Sequence, residues 1–97
     1  MHESNYRVIG LKVHNHPGVM SHITGMFSRR AFNLDGILCG QLNNGKSSQI
    51  YLLVKNDEAL GQIIKQLEKL HDVLAVSLHD NYDYSLFTRI SDLIKTN

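Results

Sequence analysis

The sequence has little of what most function classes require. Its 97 residues contain one cysteine, Cys39, and one proline, Pro17. A lone cysteine excludes an internal disulfide framework and fits a reducing compartment, so a cytoplasmic location is expected. The longest uninterrupted apolar run is Ile50-Tyr51-Leu52-Leu53-Val54, far below the ~20 residues of a bilayer span, and no membrane partner is expected. The N-terminal Met1-His2-Glu3-Ser4-Asn5 shows no basic segment followed by an apolar one, so no secretory signal is expected. Charge is almost balanced, at +1, which argues against a strong non-specific grip on nucleic acid or anionic lipid. The length supports one domain with one modest core and is too short to enclose a large cofactor.

What is present is a regular alternation of two periods. Arg7 to His14 alternates as a strand, with Ile9, Leu11 and Val13 on one face and Val8, Gly10, Lys12 and His14 on the other. Asn15-His16-Pro17-Gly18 supplies turn chemistry. From Val19 a helical period follows, with Val19, Ile23, Met26 and Phe27 on one side, and Asn33 is expected to end that helix. Leu34–Leu42 reads as a second strand, with Gly36 and Gly40 as bulge positions. Asn43-Asn44-Gly45 signals a hairpin into a third strand, Ser48–Lys55. Asn56 or Asp57 is expected to cap a second helix, Glu58–His71. A fourth strand spans Val73–His79, and Leu86, Phe87, Ile90, Leu93 and Ile94 give a tail helix one apolar stripe. The expected fold is therefore α+β, a ferredoxin-like βαββαβ plan. It has a four-stranded antiparallel sheet with two helices on one face, plus a short C-terminal helix.

Several motifs offer chemistry and then fail on context. Gly40-Gln-Leu-Asn-Asn-Gly45-Lys46-Ser47 matches the phosphate-loop pattern GxxxxGK[ST], but a strand follows where that loop needs a helix N-terminus. His14, His16 and His22 lack a completing carboxylate or thiolate, and no CxxC pattern exists, so no metal is expected. Cys39 reads as a small core residue with no partner base, and no catalytic residue is identified. The third strand offers Tyr51 but not the glycine- and aromatic-bearing motif of an RNA-recognition sheet. Arg29-Arg30 can hold an anion or simply complement the helix dipole.

Asn15 to Met20 is the segment with a coherent chemistry. The amides of Gly18, Val19 and Met20 open the first helix without intrahelical partners, and that arrangement suits a small carboxylate. The Asn15 carboxamide can accept from an α-ammonium and donate to a carboxylate. Asn33 stands at the far end of the same helix, beyond reach of that pocket within one chain, but can reach the pocket of a second chain. Turn formation alone also accounts for Asn15 and Gly18, as helix termination does for Asn33, and spacing leaves both readings open.

The run from Leu11 to Cys39 closely resembles the start of an ACT domain, and more narrowly the regulatory small subunit of acetolactate synthase (acetohydroxyacid synthase). The features that carry the resemblance are Asn15-His16-Pro17-Gly18-Val19, Phe27-Ser28-Arg29-Arg30 and Phe32-Asn33-Leu34-Asp35-Gly36-Ile37. It extends more weakly through Ile50–Lys55 and the second helix to Val76, and the length is similar to the short, isozyme I type. The resemblance implies an ACT domain over residues 1–80, with residues 81–97 a tail helix of the same single-domain chain. It implies a non-catalytic subunit that activates a catalytic subunit using thiamine diphosphate, Mg2+ and FAD, with no cofactor in this chain. It also implies feedback inhibition by valine, bound at a homodimer interface by Asn15, Gly18, Val19 and Met20 of one chain and Asn33 of the partner subunit. Pro17 departs from many relatives and removes a backbone donor, so the carboxylate must rely on Gly18, Val19 and Met20. Ile37 and Val13 are expected among the walls that choose between valine, leucine and isoleucine. The tail helix is a candidate contact with the catalytic subunit, or a cover for this chain's own surface. The alternative function is an ACT amino-acid sensor serving another enzyme.

Overall fold

A computed structural model describes residues 6–15, 17–42 and 45–79; the expected tail helix, His16, Asn43 and Asn44 lie outside the described residues. Six elements follow one another: β1 (Tyr6–His14), α1 (Val19–Arg29), β2 (Gly36–Leu42), β3 (Ser47–Lys55), α2 (Leu60–Lys69) and β4 (Val73–His79). The sheet order is β2-β3-β1-β4 with antiparallel neighbours throughout. This is the ferredoxin-like arrangement that the alternating periods predict.

The core lies between one sheet face and the two helices. Ile9, Leu11 and Val13 of β1 and Ile50, Leu52 and Val54 of β3 meet Val19, Ile23, Met26 and Phe27 of α1 and Leu60, Ile63 and Leu67 of α2. These side chains sit at two-residue steps on the strands and three- or four-residue steps on the helices, so each element turns one apolar face to the others. On the opposite face, Val8 and Leu53 pair across β1 and β3 and are also buried.

The element ends differ from expectation in ways with identifiable causes. α1 stops at Arg29, not Asn33. Ala31 turns into the left-handed region (φ 54), and the chain closes with Ala31 N–H to Ser28 O (3.0 Å) and Phe32 N–H to Phe27 O (3.0 Å). That bond pair is a Schellman closure, with Phe32 packed edge-on to Phe27 at 5.9 Å in the accompanying apolar contact. An alanine stands where glycine is favoured, which hides the helix end from a reading of the sequence. Ala31→Gly is accordingly expected to raise stability by about 0.5–1 kcal/mol in a urea melt, the relief of a left-handed L-residue less the added unfolded-state entropy.

β2 begins at Gly36; Asp35 N–H already reaches Leu53 O at 2.9 Å, but Leu34 leans onto the core. The β2–β3 register runs without interruption from Gly36↔Leu53 to Leu42↔Ser47, so neither glycine makes a bulge. The irregularity lies instead between Lys12 and Val13, where β1 meets β4. The connection between Leu42 and Ser47 is four residues long, and Gly45 in it takes φ 81. α2 is shorter than expected and begins after Ala59, with no side-chain cap; the Asp57 carboxylate accepts from Ala59 N–H (2.7 Å) one step ahead of it. Cys39 is exposed, because β2 is an edge strand with nothing described beyond it.

Candidate functional site

The β1–α1 junction is built by two backbone anchors. His14 N–H donates to Asp72 O (2.8 Å) and Asn15 N–H to Lys46 O (3.2 Å), so the end of β1 is fixed from both sides. The Asn15 side chain then donates from Nδ2 to Gly45 O at 2.7 Å. A carbonyl cannot donate, so this bond orients the carboxamide and leaves Oδ1 as the acceptor that faces elsewhere. Gly18 takes φ 89, a left-handed conformation at the helix N-cap, and no side chain caps α1. The helix's own bonding opens with His22 N–H to Gly18 O at 3.0 Å. The amides of Val19 and Met20 lie ahead of it, in the turn where a helix has donors to spare. No acidic residue occupies that first turn.

The expected site residues divide between the two ends of α1. Gly18 is its N-cap and Val19 and Met20 its first residues, while Asn15 follows the end of β1 with its side chain on the β2–β3 hairpin. Asn33 lies past the other end of the helix, exposed in the segment between Phe32 and Asp35. Eleven helical residues separate the two ends by about 16 Å, so a single protomer does not bring Asn33 to Asn15. Of the two expected side-chain walls, Ile37 is 37% exposed on the edge strand and is open to a ligand. Val13 is not: it is fully buried in the core beneath the helices.

The histidines spread apart. His14 faces His71, with ring centroids 6.4 Å apart, and His22 Nδ1 lies 3.5 Å from Asp72 Oδ2. Among the described residues no three His, Cys, Asp or Glu side chains form a metal-binding group. The phosphate-loop match spans the β2–β3 hairpin, and Ser47, its last residue, opens β3. On the opposite sheet face, Ser77 Oγ lies 2.9 Å from His79 Nε2 and 3.5 Å from Gly10 O. That contact ties β4 to β1 and is remote from the α1 turn. Asp72 went unmarked in the sequence, since fifty residues separate it from its partner His22.

Family comparison decides what this arrangement belongs to. The family model described as AHAS small subunit-like ACT domain matches residues 9–75. The chain belongs to that family. Among relatives of this ACT family, the acetolactate synthase isozyme 1 small subunit of Escherichia coli K12 is 45% identical over 84 residues, covering 87% of this chain and 86% of that protein. The acetolactate synthase small subunit of Bacillus subtilis is 36% identical over 91 residues, covering 92% of this chain but 52% of the relative. The crystal structure of the acetolactate synthase small subunit from Thermotoga maritima superposes with a TM-score of 0.68 at 35% identity, over 75% of this chain and 46% of that one. The chain thus spans most of the Escherichia coli relative and about half of the other two. Among the described residues of this ACT domain, no helix is long and apolar enough to cross a membrane.

Proposed function

We propose that this ACT domain is the regulatory small subunit of an acetolactate synthase in the cytoplasm. As a homodimer it binds valine between its protomers, activates a catalytic subunit and makes that subunit sensitive to valine. The observation that carries the reading is the first turn of α1. It is a helix N-terminus with no side-chain cap and no acidic residue, opened by a left-handed Gly18 without a β-carbon and preceded by Asn15, whose Nδ2 is held by Gly45 O. A zwitterion matches this set: its carboxylate meets the amides of Gly18, Val19 and Met20, and its α-ammonium meets Asn15 Oδ1. Asn33 of the partner subunit completes the polar ring, and exposed Ile37 offers an apolar wall for the isopropyl group.

The dimer reading rests on β2. Gly-Ile-Leu-Cys-Gly-Gln-Leu is an edge strand with neither a charge nor a proline to blunt it, which makes it a template for pairing with a second copy. Thiamine diphosphate, Mg2+ and FAD belong, in this proposal, to the catalytic subunit. Valine acts only through its difference in affinity between two arrangements of the complex, a coupling of about 1–3 kcal/mol in typical allosteric proteins. Titration calorimetry of the full chain with valine, leucine and isoleucine tests the sensor. Saturable binding of valine, two sites per dimer, is expected; no binding of any of the three at millimolar concentration refutes it. Adding the chain to its catalytic subunit is expected to raise the rate of acetolactate formation, and valine to lower it again.

A further inference from the structure

α1 and α2 leave a groove of about 560 Å³ between them, lined by Ser21, His22 and Arg29 on one side and Lys69, Leu70, His71 and Asp72 on the other. The pairing of Val13 with Val73 brings the end of α2 next to the start of α1, so Lys69 and His71 face Ser21 and His22. Arg29 belongs to the far end of α1, yet it lines the same groove. Gly25 permits this. A β-carbon at position 25 would lie 3.3 Å from Arg29 Nη1, so the guanidinium lies back along the helix over the bare glycine. A glycine inside a helix weakens it, and here it makes room for a charge.

The charges in the groove are sorted by depth. Asp72 is buried, its side chain 8% exposed, and faces the His22 imidazole; the cations Arg29 and Lys69 are exposed. The surface offered to a partner is therefore cationic, although the chain as a whole carries only +1. Each cation also complements its own helix C-terminus, but that role does not require the two to share a groove or Arg29 to fold back.

We propose that this groove docks an acidic segment of the catalytic subunit. Two exposed cations, Arg29 of α1 and Lys69 of α2, suit a pair of carboxylates on a protein surface, where rim charges set association and orientation. A small anion calls for donors converging at one buried point, and these two are exposed. Asp72 also places the groove next to the ligand loop, since its backbone carbonyl holds His14, the residue before Asn15. The proposal rests on the small-subunit reading above.

The test measures the affinity of the full chain for its purified catalytic subunit at 50 and 300 mM salt. Arg29→Glu combined with Lys69→Glu is expected to weaken association at least tenfold at low salt and to flatten the salt dependence. Valine binding by the isolated chain and its melting temperature stay unchanged, and Arg29→Lys with Lys69→Arg retains most of the affinity. Gly25→Ala is expected to raise the melting temperature yet weaken association severalfold, a pairing of effects that a merely structural role does not produce. Unchanged affinity in the double charge reversal overturns the docking and leaves the small-subunit reading standing. Failure of the unaltered chain to bind the catalytic subunit overturns both. Saturable binding of citrate to the isolated chain, lost on charge reversal while subunit affinity persists, makes the occupant a small anion and also overturns the docking. Loss of self-association alone makes the occupant a second copy of this chain and overturns the docking as well.

Discussion

Phe27→Ala is expected to lower the unfolding free energy by about 3–5 kcal/mol, the range for emptying a buried aromatic position. Phe27 is only 2% exposed and lies among the strand residues of the single core. For a domain of this size that loss is a fifth or more of a typical total of about 5–15 kcal/mol, and the melting temperature should fall by roughly 12–40 °C. The substitution reaches past the core. Phe32 stacks edge-on against Phe27 and is half-buried by that contact, and the two also share the backbone bond that reverses the chain after α1. Asn33 follows directly. Removing the ring therefore loosens the segment that presents Asn33, and any ligand binding that depends on Asn33 should weaken even below the melting transition. Phe27→Leu keeps most of the volume and should cost well under half as much. A urea titration monitored by circular dichroism checks the pair; equal stability of Phe27→Ala and the parent chain would contradict the core assignment.

The same region shows what a sequence can and cannot disclose. Alternation in Ile9, Leu11 and Val13 and the three-four steps of Val19, Ile23, Met26 and Phe27 are local signals, written in side-chain chemistry, and they translate directly into the sheet and α1. The end of α1 is local too, but its signal is inverted. Ala31 occupies a left-handed position on the strength of the Phe27–Phe32 contact and two closing bonds, so tertiary packing overrides the preference for glycine. Asn33, the polar residue that looks like a terminator, stands two residues beyond the turn it was expected to make. Cys39 misleads for a different reason: its neighbours are apolar, but β2 sits at the sheet edge, and edge position is a property of strand order. Asp72 and His22, and the Arg29–Lys69 groove, depend on register between distant segments and leave no trace in spacing. The candidate ligand turn was legible because all its parts in one chain lie within six residues. The orientation of Asn15 was not, since it depends on the Gly45 carbonyl across the sheet.

Asn15→Ala and Asn33→Ala are each expected to weaken valine binding by roughly 10–100-fold, the loss of one hydrogen bond to a charged group being about 1.5–3 kcal/mol. The two substitutions differ in their side effects. Asn15→Ala also removes the bond to Gly45 O and should cost a little stability, because that bond is exposed. Asn33 makes no described contact that holds the fold, so Asn33→Ala should leave the melting temperature unchanged. The decisive measurement mixes them. In a heterodimer with Asn15→Ala in one protomer and Asn33→Ala in the other, a site built from both chains gives one cavity lacking both asparagines and one retaining both. Calorimetry should then find a single site per dimer at the parent affinity, with the second weakened by the product of the two effects. If each protomer instead used its own Asn15 and Asn33, both sites would carry one defect and bind equally poorly. The ~16 Å length of α1 between the two residues already argues against that second pattern. A parent-affinity site surviving in the heterodimer would locate the amino acid between protomers and tie its binding to the pairing of their edge strands.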